Sequence, residues 1–396
     1  MNNRVLLGNF SSIFNLMNTF ENLCNYISYI VIVDEIIAED GKFLNYDNYL
    51  NKFYTEKDEI IISTYEDYSV FVQKLPKSNK YIYARKWILD LLKENKIIHR
   101  PRRIRLDLST MCQLNCRECY MRTQNNGAVG IGFLKFEQFK TFIENNPYIN
   151  EIEVSNSGEV FLNPDLEKIL KYSYENNITI TMCNGVNLNS ASDSILEALV
   201  KYQVNAITIS IDGVTNETYS YYRRNGNLDK VLENIKKINE YKAKYNSMLP
   251  TLTWQFILMN NNEDEAEKAA EMASSLNMDV LYKVDWSGKY KPKDPNKITE
   301  LTGENFDEEW HITYCQQMIF SPQINWDGRL LGCCVVFKSD WKVNVFSNGL
   351  EAALNSPNYR RMIYTLLGDN TSDEVTPCSD CYTYEQCILN GERINI

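Results

Sequence analysis

Three cysteines, Cys112, Cys116 and Cys119, fall within eight residues of the stretch DLSTMCQLNCRECYMR. Three thiols cannot pair off as disulfides, and they are one short of a closed four-ligand metal site. A cysteine-only, closely spaced set favours iron–sulfur or zinc chemistry over harder metals. Two readings stay open: zinc completed by a distant fourth cysteine, or a cubane cluster held at three irons with the fourth left open. An open iron is a binding position for adjacent nitrogen and oxygen donors, such as the amine and carboxylate of an amino acid.

A second set lies near the end of the chain. Cys315, Cys333, Cys378 and Cys381 offer four thiolates, the last two within CSDCYTYEQC, a C-x2-C-x5-C pattern. Cys333 sits in WDGRLLGCC, a hairpin-like stretch. Four such cysteines also suit a zinc ribbon. Cys334 and Cys387 are left over; Cys387 competes with Cys381 as a ligand, and Cys334 is read as packing. Eleven cysteines against two histidines, His99 and His311, disfavour imidazole-based zinc or non-haem iron chemistry.

These residues need a scaffold, and hydrophobic periodicity supplies one. In the first hundred residues NRVLLGNF, YIVIVDEII, DEIIISTY and NKYIYAR read as buried strands, with SSIFNLMNTFENLCNYI and EDYSVFVQKL as helices between them. The alternation implies a small parallel α/β sheet of Rossmann-like kind at 1–100. Its first turn, GNFSS, lacks a G-x-G-x-x-G, so nucleotide binding there is weakly supported. After a proline-marked linker the rhythm resumes over 101–290 in RIRLDLS, NEIEVSNS, ITITMCN, AITISID, LTWQFILM and DVLYKVD, separated by helical patterns. Six such units predict a partial (β/α)6 barrel of parallel strands whose C-terminal ends form one reaction face. A polar, proline-bearing linker or lid and a cysteine-rich extension fill 291–396. The three-cysteine loop falls after the first barrel strand, on that face.

Composition narrows the class. A 44% hydrophobic and 23% charged chain of 396 residues is globular and large enough for two or three domains. The net charge of −11 argues against nucleic acid as a partner. No apolar run reaches the roughly 18–20 residues that span a bilayer, so no membrane partner is expected. The start, MNNRVLLGNFSS, lacks the charged head and apolar run of a secretion signal, so a cytoplasmic, reducing location is expected.

The C-x3-C-x2-C loop after a first strand resembles the signature of the radical SAM superfamily, over roughly Arg103 to Glu385. SNSGEV is similar to the family's G-G-E segment, which implies that Ser157, Gly158 and Glu159 accept the methionine amino group of S-adenosylmethionine. CNGVN resembles its T-N-G turn and implies Asn184 and Gly185 near the cofactor. SIDGVTNETYSYYRR resembles the segment that supplies Ser210 and Arg223 for the methionine carboxylate, a role that suits the planar guanidinium fork. The sequence departs at two places. Glu118 stands where an aromatic residue usually precedes the last cysteine, with Tyr120 following as the aromatic cofactor contact, and Ser157 replaces the first glycine. The resemblance implies that S-adenosylmethionine supplies the missing ligand of a 4Fe-4S cluster and that an electron cleaves it to methionine and a 5′-deoxyadenosyl radical.

The tail resembles the auxiliary-cluster extensions called SPASM and twitch. It implies one auxiliary 4Fe-4S cluster on Cys315, Cys333, Cys378 and Cys381, working as an electron relay, and an external one-electron reductant such as flavodoxin or ferredoxin. The branch it resembles occurs beside surface-polysaccharide genes, which implies a carbohydrate or nucleotide-sugar oxidised or epimerised at one carbon. Peptide modification is the alternative, and a non-catalytic zinc scaffold a third. Candidate catalytic groups at the late strand ends are Lys283 and Asp285 as bases and Cys183 as a hydrogen-atom donor.

Overall fold

The apolar runs of the first hundred residues form strands β1 (Arg4–Gly8), β2 (Phe20–Glu21), β3 (Tyr29–Ile32), β4 (Phe43–Asn45), β5 (Glu59–Ile62), β6 (Lys80–Tyr83) and β7 (Ile98–His99). The computed structural model describes residues 3–34, 42–63, 80–119, 121, 129–285, 287–303, 315–333, 343–369, 378, 381 and 384–385. The helix expected over 66–75, together with Tyr120, Trp286, Cys334 and Cys387, lies outside the described residues. Strands pair in parallel in the order β4-β3-β1-β5-β6. Val5, Leu6, Leu7, Ile60, Ile61 and Ile62 are wholly buried, as expected for central strands covered on both faces. β4 is three residues long and carries no readable alternation, so the sequence reading misses it.

Between β1 and β2 runs the helix Phe10–Thr19, capped by Asn9, whose Oδ1 accepts from the Ser12 amide at 2.8 Å. Phe10 N–H donates to Asp34 Oδ1 at 2.8 Å. Where a Rossmann-type helix terminus receives phosphate, this one holds its own domain's carboxylate.

The chain divides into two compact units, not three consecutive ones. One joins Met1–Arg103 to Trp310–Pro322 and Ser339–Ile396; the other joins Ile104–Glu309 to Gln323–Lys338. The first unit is tied within itself by contacts far apart in sequence. Arg85 donates to the Leu366 carbonyl at 2.6 Å and Tyr359 to the Met318 carbonyl at 2.8 Å. The His99 Nε2 lies 2.7 Å from the Ile319 carbonyl, and its ring stacks on Tyr359.

The second unit is built on β8 (Arg103–Leu106), β9 (Glu151–Glu153), β10 (Thr179–Val186), β11 (Ala206–Ser210), β12 (Thr251–Leu258) and β13 (Asp279–Val284), joined by helices. The six neighbour one another in chain order, and the pairs from β9 to β13 are parallel. Two further strands, β14 (Gln323–Ile324) and β15 (Leu330–Gly332), extend this sheet past β8. β14 runs parallel to β8 and forms an antiparallel hairpin with β15. That pairing is why 323–338 belongs to the core unit rather than to a separate tail. Among the described residues no helix is long and apolar enough to cross a membrane.

Candidate active site

The cysteine loop begins where β8 ends, between two buried leucines, Leu106 and Leu108. Its returning arm is fastened by Thr110 N–H to the Gly132 carbonyl at 3.1 Å and Gly132 N–H to Thr110 Oγ1 at 3.0 Å. Its middle is fastened to the segment after β11. Asn115 N–H donates to the Arg224 carbonyl at 2.9 Å, Arg117 Nε to the Tyr221 carbonyl at 2.6 Å, and the Arg117 guanidinium lies 4.3 Å from the Tyr221 ring centre. Glu118, the departure from an aromatic, pairs with Lys289 at 2.8 Å.

So held, Cys112, Cys116 and Cys119 all line one cavity of about 350 Å³, together with Met111, Leu114 and Gly158. Burial pushes the Cys112 thiol up to about 12 and raises Cys116 as well. Both are therefore protonated until a metal displaces the proton. Among the described residues no group of three or more His, Cys, Asp or Glu side chains is gathered as a preformed site for a single ion.

Gly158 reaches the cavity because it has no side chain. Its φ is +63°, and an added Cβ would stand 2.7 Å from the Met111 and Ser109 carbonyl oxygens. Next to it, Glu159 N–H donates to the Met111 carbonyl at 2.7 Å, and the Glu159 carboxylate is buried. One carboxylate oxygen accepts from Phe161 N–H at 3.3 Å; the other accepts from the Asn187 amide N–H at 2.9 Å and from the Asn187 side chain. Burial raises Glu159 to about 7, against the opposing pull of these hydrogen bonds. Both oxygens are thus engaged, with Asn187 as the holder. Asn187 belongs to the CNGVN turn, but its role is not readable from sequence.

That turn hangs on a buried acid of β9. Glu153 accepts from Thr181 Oγ1 at 2.9 Å and from the Cys183 N–H at 2.8 Å, and Ser155 Oγ accepts from Asn184 N–H at 3.1 Å. Cys183 and Asn184 are exposed. Gly185 has φ +101° and packs against the Ser210 hydroxyl. Ser210 accepts from Gln255 Nε2 at 3.3 Å, and Gln255 Oε1 accepts from Lys283 Nζ at 2.8 Å. A polar chain therefore runs Ser210–Gln255–Lys283 across β11, β12 and β13. Burial lowers the Lys283 pKa, opposed by Asp212 and Cys183. Asp285 is turned into its own loop, where one oxygen accepts from Ser287 Oγ at 2.5 Å and from the Lys289 and Tyr290 amides, both at 3.1 Å.

Arg223 sits beside the cysteines. Its Nε donates to Asp212 Oδ2 at 2.6 Å, and its Nη1 stands 3.8 Å from Cys116 Sγ. Burial opposes the guanidinium charge, yet Asp212, Cys116 and two tyrosines hold its pKa above the ordinary value.

The Radical SAM superfamily matches residues 106–273, and SPASM, an iron-sulfur cluster-binding domain, matches 315–382. The chain carries a radical SAM domain and a SPASM domain. GTP 3′,8-cyclase of Syntrophomonas wolfei subsp. wolfei is 23% identical over 185 residues, 45% of this chain and 53% of that protein. The chain thus spans about half the length of this curated relative. Among solved structures, Streptococcus suis SuiB bound to S-adenosylmethionine is similar in fold, with a TM-score of 0.55 and 16% identity over 77% of this chain and 76% of that one. SuiB bound to the precursor peptide SuiA gives 0.52 and 16% over 71% and 70%.

The radical SAM domain implies S-adenosylmethionine and a 4Fe-4S cluster, and the SPASM domain implies auxiliary iron–sulfur clusters. The chemistry of the donor set fits the first of these: three soft sulfurs on one cavity, with a buried carboxylate and a guanidinium alongside. Of the SPASM cysteines, Cys315 caps the turn Gln316–Phe320 through Met318 N–H at 3.4 Å, and Cys381 N–H donates to the Cys378 carbonyl at 3.0 Å. Cys315, Cys378 and Cys381 belong to the first unit; Cys333, directly after β15, belongs to the second. The SPASM match ends before Cys387.

Proposed function

We propose that this chain is a radical SAM enzyme that abstracts a hydrogen atom from a carbon of a carbohydrate or nucleotide-sugar and oxidises or epimerises it there. The observation that carries the reaction class is the convergence of Cys112, Cys116, Cys119 and Gly158 on one cavity. The three cysteines would hold the 4Fe-4S cluster, and the buried Glu159, with Arg223 beside Cys116, would take the amine and carboxylate of S-adenosylmethionine. Bound there, cluster and cosubstrate supply a one-electron cleavage that yields methionine and the 5′-deoxyadenosyl radical, the electron coming from a flavodoxin- or ferredoxin-like reductant.

The protein's own work is positioning and proton movement. Lys283 supports the base role better than Asp285, because its pKa is lowered by burial while one Asp285 oxygen accepts three bonds from its own loop. Taking the proton of a hydroxyl on the carbon that loses hydrogen leaves a substrate radical that surrenders one electron, giving the carbonyl. Cys315, Cys333, Cys378 and Cys381 would hold an auxiliary cluster, whose chemistry would be to accept that electron. In the epimerising outcome Cys183, exposed within β10, returns a hydrogen atom instead. The polar run Ser210–Gln255–Lys283 favours a substrate rich in hydroxyls.

Cluster-replete protein incubated anaerobically with S-adenosylmethionine and a reductant forms 5′-deoxyadenosine, and deuterium from the right labelled sugar appears in it. Absence of 5′-deoxyadenosine removes the proposal. Deuterium transfer from a peptide but from no sugar replaces the substrate class and leaves the reaction class standing.

A further inference from the structure

Two fully buried polar side chains meet where β8 gives way to the cysteine loop. Asp107 follows β8 directly, and Gln323 opens β14; both are 0% exposed. Gln323 Nε2 donates to Asp107 Oδ2 at 2.9 Å and stands 3.5 Å from Ser157 Oγ. The remaining oxygens of the pair, Asp107 Oδ1 and Gln323 Oε1, are buried with no hydrogen-bond partner among the described residues. Two orphan acceptors on one interacting pair are the signature of one missing donor, because buried oxygens are otherwise satisfied. A proton on Oδ1 supplies it. Carboxylic acid and primary amide then face each other through two bonds, N–H to carboxyl oxygen and O–H to amide oxygen.

We infer that Asp107 is held as the neutral acid in a two-bond pair with Gln323, and that this pair positions the Ser157–Gly158–Glu159 segment against the cysteine loop. The inference rests on the reading of that segment as part of the S-adenosylmethionine site. Burial independently pushes Asp107 up to about 7, while hydrogen bonds from Gln323 and Ser157 and the charge of Arg105 pull the other way. Ser157, the departure from glycine, brings its hydroxyl to this pair. Gly158 and Glu159 follow it onto the Ser109 and Met111 carbonyls.

The pair also joins the two matched domains, since Asp107 lies within 106–273 and Gln323 within 315–382. The turn after β14 reaches the other arm of the loop, where Trp326 Nε1 donates to the Val129 carbonyl at 3.1 Å and its ring fills the space above Gly132. Asp107 and Gln323 are positioning residues, remote from the reacting atoms.

The test uses D107N, D107A and Q323L in the full chain. Asparagine can donate to Gln323 Oε1 and accept from its Nε2, so D107N keeps both bonds; the other two variants lose them. S-adenosylmethionine affinity of cluster-replete protein stays within about twofold of wild type in D107N and falls about tenfold in D107A and Q323L, with iron content unchanged. The infrared difference spectrum of wild type against D107N shows a protonated carboxyl stretch at neutral pH. A D107N loss equal to that of D107A, or a carboxylate band in place of the acid band, overturns the inference. Should wild type bind no S-adenosylmethionine, the functional reading fails. The infrared band and the order of melting temperatures, D107N above D107A, still decide the protonation and pairing.

Discussion

Replacing Gly158 by alanine tests the site most sharply, because the obstruction it creates has nowhere to go. At φ +63° an L-residue sits in the left-handed region, which costs about 1–2 kcal/mol. The new Cβ meets Met111 O, Ser109 O and Thr110 C, each at 2.7 Å, all backbone atoms of the cysteine loop. No side chain can swing aside, so the loop carrying Glu159 must lift. That stretches the 2.7 Å bond from Glu159 N–H to Met111 O, worth about 0.5–1.5 kcal/mol. The sum, roughly 1.5–3.5 kcal/mol, is about ten- to three-hundredfold in affinity for S-adenosylmethionine if the segment binds it. Equilibrium binding on anaerobically reconstituted protein measures this directly. Iron and sulfide content serve as the control, since all three cysteines remain. An affinity within threefold of wild type, with the cluster intact, refutes the assignment of this segment to the cosubstrate.

Three other outcomes follow from single contacts. Burial lowers the His99 pKa from 6.5 to about 4, so between those values the unfolded chain takes a proton the fold refuses; stability rises with pH through that window and falls by about 3 kcal/mol on acidification below it. Denaturant midpoints between pH 4 and 7 check it, and a flat profile would contradict the buried neutral ring. Arg223→Met strands the fully buried Asp212 carboxylate and lowers stability by about 3–5 kcal/mol, read from chemical unfolding, and Asp212→Asn in the same chain recovers part of it. Cys378→Ala removes the auxiliary-cluster signals from reduced and oxidised spectra and leaves 5′-deoxyadenosine formation in place, whereas Cys112→Ala abolishes that formation; unchanged auxiliary signals in the first variant defeat its assignment as a ligand.

The core strands were legible because each is a short apolar run followed by a helical pattern, as in ITITMCN before Asp193–Lys201. The cysteine loop was legible from the C-x3-C-x2-C spacing of Cys112, Cys116 and Cys119 directly after an apolar run. What sequence does not reveal is pairing across distance. β14 is two residues long, and its partner β8 lies more than two hundred positions earlier, as the Gln323–Asp107 bond also shows. Propensity has nothing to act on at that length; only the tertiary ladder makes it a strand. Asn187 and Asp212 fall within the motifs but have no role readable from sequence, because they satisfy Glu159 and Arg223, and such partnership is visible only once both are buried together.

That difference bears on how the two matched domains work together. If the SPASM segment were a separate module, its loss would leave the radical SAM sheet complete. Here β14 pairs with β8, the strand that delivers the cysteine loop, and the turn after it supplies Trp326 to the loop's returning arm. Removing it exposes the ladder edge of β8 and leaves Asp107 buried with its amide partner gone. The residues lining the three-cysteine cavity all come from the radical SAM match, but the arm that bears Gly130 and Ile131 is braced by Trp326 of the SPASM match, and Cys333 follows β15 on the same hairpin. Substitutions in 323–332 should consequently be read first as changes to the support of the cysteine loop, and only afterwards as changes to any auxiliary cluster.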